Sequence, residues 1–277
     1  MYSAPYKTGP HPRLEIENQD KKKLDLGVIE LSDVERSFPV VVVPKPCVHF
    51  RFCVDYCRLN ERTVKDGYPI QRMDDCLESL GDAPVFSTLD WNPGYWQIPV
   101  AAEDRDKTTF TSHTGLFQFF RLPFGLVNTP ASFQRALDII LSGLRWRKCL
   151  VYLEDAIVFS RTVDEHIRHL GEFSILLEKA GVSLKPSKCH PIQQDLEYLG
   201  HVFRPSQLLM NRKKIKSLAE ALPPRNHTEI KSFLGMCYVY QHLIKDYAHI
   251  AKPLTKFTRK KLPHVPSPLD AAQLAAF

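Results

Sequence analysis

Short apolar runs and alternating segments, rather than long helical stripes, dominate the first half of the chain. Phe38 to Lys45 (FPVVVVPK) predicts a strand broken by Pro44 and Pro46, and Arg51 to Tyr56 alternates well enough to be its hairpin partner. Val85 to Leu89 predicts a buried strand ending in Asp90, with Pro93-Gly94 marking the turn after it. Thr108 to Ser112 and Leu116 to Leu122 predict a hairpin around Thr114-Gly115, and Cys149 to Leu153 and Ala156 to Phe159 a second one with Glu154-Asp155 at its apex.

Between and after these strands the period becomes helical. Thr129 is expected to cap a helix with Pro130 in its first turn and an apolar face of Phe133, Leu137, Ile140, Leu141 and Leu144. A second helix is expected over 163–180, with Ile167, Leu170, Phe173, Leu176 and Leu177 at helical spacing and Gly181 as its stop. Residues 197–203 read as a small hairpin. Beyond Arg204 the pattern turns to helices: 212–222 capped by Asn211, a Pro223-Pro224 break, then about 228–246. Residues 1–37 read as charged and loop-rich, with a short helix around Lys21-Lys22-Lys23. A subdomain boundary is expected near 204, and the tail 262–277 shows no fold of its own.

Composition narrows the class. The 277 residues are 44% hydrophobic and 25% charged, an ordinary globular mixture with room for one large domain or two small ones. No apolar run is long enough to span a membrane, and the first thirty residues lack the apolar stretch of a secretory signal. Seven cysteines form no C-x-x-C pair, which points to reduced thiols in an intracellular protein. Cys53 and Cys57, placed on one strand, lack further ligands for a metal, and His166 and His169 read as solvated helix surface.

Charge is distributed unevenly. Residues 204–261 hold 13 Lys/Arg against 3 Asp/Glu, whereas residues 1–203 hold 24 against 27. Two accounts fit this asymmetry: a polyanion gripped by the C-terminal segment, or a solvated helix surface. The acidic residues are more pointed. Asp90 and the Glu154-Asp155 pair each interrupt apolar segments, and burying unpaired carboxylates is costly, so they must face solvent or hold cations. An acidic pair in a turn, taken alone, is ordinary turn chemistry.

The order of motifs adds to that reading. VFSTLDWNPGYWQIPV (85–100), FQFFRLPFGLVNTPASFQ (117–134), VYLEDAIVFS (151–160), KPSKC (185–189) and EYLGHVF (197–203) resemble the successive motifs of gypsy-type LTR-retrotransposon reverse transcriptases. VVVVPK (40–45) with RFCVDYCRLN (51–60) resembles the fingers hairpin, and 229–254 the thumb and connection. The similarity runs over roughly residues 2–262. It implies an α+β fold, the right-hand polymerase of fingers, palm and thumb, with an antiparallel palm sheet packed on helices. Fingers would be about 1–83 and 101–129, palm 84–100 and 130–203, and thumb and connection 204–262, where the basic surplus falls.

Function follows as implication. The family joins deoxynucleotides to a primer by two-metal chemistry with Mg²⁺, for which Mn²⁺ is a looser substitute. By resemblance Asp90, the Trp91 carbonyl, Glu154 and Asp155 would hold the metals, with Glu154 standing where the family has Asp in its Tyr-x-Asp-Asp motif. Lys45, Arg51, Tyr95, Phe124, Gly125 and Tyr152 would bind the nucleotide, Tyr95 as the aromatic that excludes a ribose 2′-hydroxyl. Leu199-Gly200 would be the primer grip and Lys188 a proton donor. Arg212, Lys213, Lys214 and Lys216 would grip nucleic acid. Departures at Cys47-Val48, Cys57, Pro93 and above all Glu154 predict weakened polymerisation, or a nucleic-acid binder that has lost it. Expected partners are an RNA or DNA template-primer, dNTPs and the protease, ribonuclease H and integrase domains of a polyprotein, in the cytoplasm, a virus-like particle or the nucleus.

Overall fold

A polar helix opens the structure, a computed structural model that describes residues 6–44, 50–81, 83–92, 94–198, 200–204 and 207–258. Helix α1 (Pro10–Asp25) stands where the hydrophobic pattern predicts mostly loop. Its buried positions, Ile16, Asp20 and Lys23, share one face, but two of the three are charged and escape a hydrophobic scan. Ser112 and Thr114 hydroxyls donate to Asp20 Oδ2 at 2.7 and 2.8 Å. Lys23 Nζ sits 3.4 Å over the Phe52 ring, and burial pulls its pKa down to about 8.

The chain continues through β1 (Ile29–Leu31), β2 (Phe38–Pro44), β3 (Phe50–Val54), α2 (Cys57–Asn60), α3 (Met73–Leu80) and β4 (Val85–Asp90). Next come β5 (Phe110–Ser112), β6 (Gly115–Phe119), α4 (Thr129–Ile140), β7 (Cys149–Tyr152), β8 (Asp155–Ser160), α5 (Val163–Ala180) and β9 (His190–Gln193). Two sheets result. One has the order β1-β6-β5-β2-β3, with β2 and β5 parallel and the other pairs antiparallel, over a core of Phe38, Val40, Tyr56, Phe110, Phe117 and Phe119. The other, β7-β8-β4-β9, is antiparallel throughout. Helices α4 and α5 pack on it through Phe133, Leu137, Leu141, Phe173 and Leu177 against Leu89, Val151, Ala156 and Val158.

Several local expectations shift. Thr129 is the first helical residue of α4, not its cap; Asn128 precedes it, and the Thr129 hydroxyl donates to the Pro123 carbonyl at 2.9 Å. Cys57 begins α2, so it shares no strand with Cys53. On α5 the Thr162 hydroxyl caps the Glu165 N–H and Gly181 closes the helix at φ +66°. Its inward stripe is His166, His169, Phe173 and Leu177, while Ile167 is 55% exposed. The two histidines are therefore buried rather than solvated. His166 Nε2 lies 2.7 Å from Ser87 Oγ and its Nδ1 3.0 Å from Ser160 Oγ, which is 2.7 Å from His169 Nδ1. Their ring nitrogens are satisfied inside the core, which is why the helical phase tolerates them there.

A second compact unit, residues 194–277, is distinct from residues 1–193. Within it β10 (Leu196–Tyr198), β11 (His201–Arg204) and β12 (Gln207–Met210) form their own antiparallel sheet. Helices α6 (Arg212–Ala219), α7 (His227–Tyr238) and α8 (Tyr247–Thr255) follow. The division falls ahead of the boundary expected near 204 because the 196–204 hairpin pairs with β12 rather than with β7-β8-β4-β9. The single helix expected over 228–246 ends at Tyr238, and the chain restarts as α8 after Asp246 in a left-handed conformation at φ +57°. Lys45, Leu199, Pro93 and the tail lie outside the described residues, as do the side chains of Arg212, Lys213 and Lys214. Among the described residues no helix is long and apolar enough to cross a membrane.

Candidate active site

Two strand ends bring the acidic residues together. Asp90 is the last residue of β4 and Asp155 the first of β8, and the antiparallel register sets them opposite one another. Tyr152 faces Asp155 across the β7–β8 pair, so the two turn residues are Leu153 and Glu154. This corrects the expected Glu154-Asp155 apex by one position. Asp155 belongs to the sheet, and Glu154 alone of the acidic pair is free of it.

The turn carries strain. Leu153 has φ +53°, a left-handed conformation that costs a branched residue roughly 1–2 kcal/mol. Gln134, fully buried on α4, holds it from beneath. Its Oε1 accepts the Leu153 N–H at 2.8 Å, while its Nε2 donates to the Val151 carbonyl at 3.0 Å and Asp138 Oδ1 at 2.8 Å. Sequence reading missed this residue, because a lone Gln on an otherwise apolar face carries no signal of what it ties together.

Around the carboxylates the electrostatics are explicit. Desolvation first and the Asp90 carboxylate second raise the Asp155 pKa, with Lys188 opposing them. Lys188 Nζ lies 2.9 Å from Asp90 Oδ2. Its pKa is raised chiefly by that hydrogen bond and then by the charges of Asp90, Glu154 and Asp155. The backbone aims it there: Lys185 N–H donates to the Asp90 carbonyl at 2.8 Å, and the 3₁₀ turn Pro186–Lys188 follows directly.

Tyr95 closes another side. It lies in the 3₁₀ turn Gly94–Gln97, buried, with ring centroids 4.7 Å from Phe124 and 5.2 Å from Phe133. Burial, then the charge of Glu154 and a hydrogen bond to it, push its pKa up to about 12. Tyr95 is thus both a core aromatic and a neighbour of the acidic turn. Phe124 is 46% exposed, and Gly125 at φ +95° places its carbonyl 2.8 Å from Asn60 Nδ2. A Cβ on Gly125 would sit 3.4 Å from the Tyr56 ring and from the Val54 carbonyl, and its φ strains any side chain there. The Trp91 ring is buried between Phe133 and Phe173, so a role at the site falls to its backbone.

Other expected residues sit on their own elements. Arg51 is exposed on β3, opposite Val43. In the second unit Gly200 adopts φ +85° and its carbonyl accepts the Tyr240 hydroxyl at 2.9 Å. Lys216 lies 3.7 Å from Glu220. A divalent cation held by Asp90 and Asp155, cross-strand partners of like charge, would relieve their mutual repulsion. Glu154 does not complete a third arm: among the described residues no set of three His, Cys, Asp or Glu side chains is arranged to hold a metal ion.

Residues 43–203 match the family model described as reverse transcriptase (RNA-dependent DNA polymerase). The chain is 37% identical, over all of its length, to the retrovirus-related Pol polyprotein from transposon opus of Drosophila melanogaster. It is 36% identical over 94% of its length to that from transposon 297, and 35% over 92% to that from transposon gypsy, both of the same organism. It spans only 25–29% of those polyproteins. Among solved structures, the foamy viral protease-reverse transcriptase in complex with double-stranded DNA matches 99% of the chain and 49% of its own, with a TM-score of 0.89 at 22% identity. The same viral protein bound to an RNA/DNA hybrid matches 99% of the chain and 37% of its own with a TM-score of 0.84, also at 22% identity. The fold is the expected one: α+β, of the right-hand polymerase kind, with an antiparallel sheet packed on helices.

Proposed function

The chain belongs to the reverse transcriptase (RNA-dependent DNA polymerase) family, and on that premise we propose that it is the nucleotidyl-transfer region of a gypsy-type LTR-retrotransposon polyprotein, extending a primer on an RNA or DNA template. The observation that carries the reading is the pairing of Asp90 with Asp155 at adjoining strand ends, where desolvation first and the like charge of Asp90 second raise the Asp155 pKa. Asp90, Asp155 and the Trp91 carbonyl would hold Mg²⁺ or Mn²⁺. When bound, the metal neutralises phosphate charge and activates the primer hydroxyl. Lys45 and Arg51 bind the triphosphate of the incoming dNTP. Tyr95, braced by Phe124 and Phe133, lies under its sugar with Gly125 and Tyr152 beside it. Leu199 and Gly200 steady the primer, and Lys188 supplies a proton to the departing pyrophosphate. Arg212, Lys213, Lys214 and Lys216 hold the duplex backbone.

Glu154 sets the rate. Its carboxylate is one methylene further out than an aspartate's, and its charge acts on Tyr95. Misplacing a catalytic group by about 1 Å costs on the order of 10²-fold. Extension by this chain is therefore weak. Primer extension with Mg²⁺ and with Mn²⁺, on this chain and on Glu154→Asp, tests it: the variant should gain about ten- to a hundredfold, and equal, robust extension by both would refute the assignment. The departures at Cys47-Val48, Cys57, Pro93 and Glu154 also favour a second reading, a nucleic-acid-binding protein without catalysis. Template-primer binding that persists while neither form extends would select it.

A further inference from the structure

The Lys188 ammonium is the cation already present at the acidic site. It pairs with Asp90 Oδ2 at 2.9 Å, and the charges of Glu154 and Asp155 act on it as well. This placement is built into the backbone. The Lys185 N–H donates to the Asp90 carbonyl, Lys188 N–H donates to the Lys185 carbonyl at 2.9 Å, and His190 of β9 then registers opposite Thr88 of β4. The turn carrying the lysine is thus stitched to the strand carrying the aspartate on both sides of the ammonium.

We propose that Lys188 is a built-in counter-cation of Asp90 and Asp155, which a divalent metal must displace from the Asp90 carboxylate in order to bind. The inference rests on the reading of Asp90 and Asp155 as a cation site. The ammonium occupies Asp90 Oδ2 and carries charge of the same sign as a divalent cation, so binding of a metal by the Asp90 carboxylate and departure of the lysine would be one event. Because the pair is partly solvated, with Lys188 57% and Asp90 25% exposed, the competition is modest.

Mn²⁺ binding without nucleotide or nucleic acid, followed by electron paramagnetic resonance of the free ion, tests this apart from activity. Lys188→Met should bind Mn²⁺ about three- to tenfold more tightly than the parent chain, and Lys188→Arg, which keeps the charge, should stay near parental affinity. Asp155→Asn should weaken binding at least about tenfold, since it removes a ligand. Circular dichroism of each variant establishes folding, which an exposed lysine does not control. Unchanged or weaker Mn²⁺ binding by Lys188→Met, with Asp155→Asn still impaired, overturns the counter-cation and leaves the cation site standing. Parental binding by Asp155→Asn, or no binding by any form, overturns both.

Discussion

At the scale of single residues, the site depends as much on an amide as on its acids. Gln134 makes three hydrogen bonds, to β7, the Leu153 turn and Asp138. Gln134→Leu keeps the volume but orphans those groups, so it should destabilise the chain by about 1–3 kcal/mol in urea unfolding. The same variant should lose primer extension beyond what the parent shows. Unaltered unfolding midpoints would mean that the turn holds itself. Asp90, Asp155 and Tyr95 were legible in the sequence because each stands in a motif whose order is informative. Gln134 stood in the same stretch unremarked, since its function lies in what it touches. The one-residue shift of the turn, from Glu154-Asp155 to Leu153-Glu154, was equally hidden: nothing in the composition of a hairpin announces a leucine at φ +53°.

Elements were legible where apolar residues set the period and obscure where polar ones did. Strands β2 to β8 and the apolar face of α4 followed their hydrophobic patterns, whereas β1 and β9 were not expected from theirs. Helix α1 did not, because Asp20 and Lys23 occupy its inner face. Helix α5 was found, but Ile167 drew its stripe out of phase and hid His166 and His169, which point inward. That burial has a pH consequence. Desolvation and the neighbouring His169 lower the His166 pKa, so the folded imidazole resists a proton that the unfolded one, near 6.5, accepts. The unfolded chain therefore binds more protons on acidification, and stability present above pH 6.5 drains away below it. Thermal melts should show a lower Tm at pH 5.5 than at pH 7.5, in a window above the titration of ordinary carboxylates. Placing Gln at both His166 and His169 should flatten that slope. An undiminished slope in the double variant would exonerate the histidines.

For the whole molecule, charge asymmetry is the feature that structure alone does not interpret. The surplus of 13 Lys/Arg over 3 Asp/Glu in residues 204–261 falls on the second unit, where α6 begins with Arg212, Lys213 and Lys214. Of the α6 cations, Lys216 has a carboxylate nearby, Glu220 at 3.7 Å, but both are well exposed and the pair is worth little. A solvated helix surface and a phosphate grip predict different salt behaviour. Each phosphate neutralised releases counterions, giving a slope of about −0.9 in log affinity against log salt for duplex DNA. If Lys213, Lys214 and Lys216 touch the backbone, changing all three to Gln should weaken template-primer binding irrespective of template sequence. It should also make the slope shallower by about two to three. Filter binding or fluorescence anisotropy between about 50 and 200 mM salt covers the range in which that difference is large. A solvated surface would leave both affinity and slope where they were, and the basic surplus would then be a matter of solubility rather than recognition.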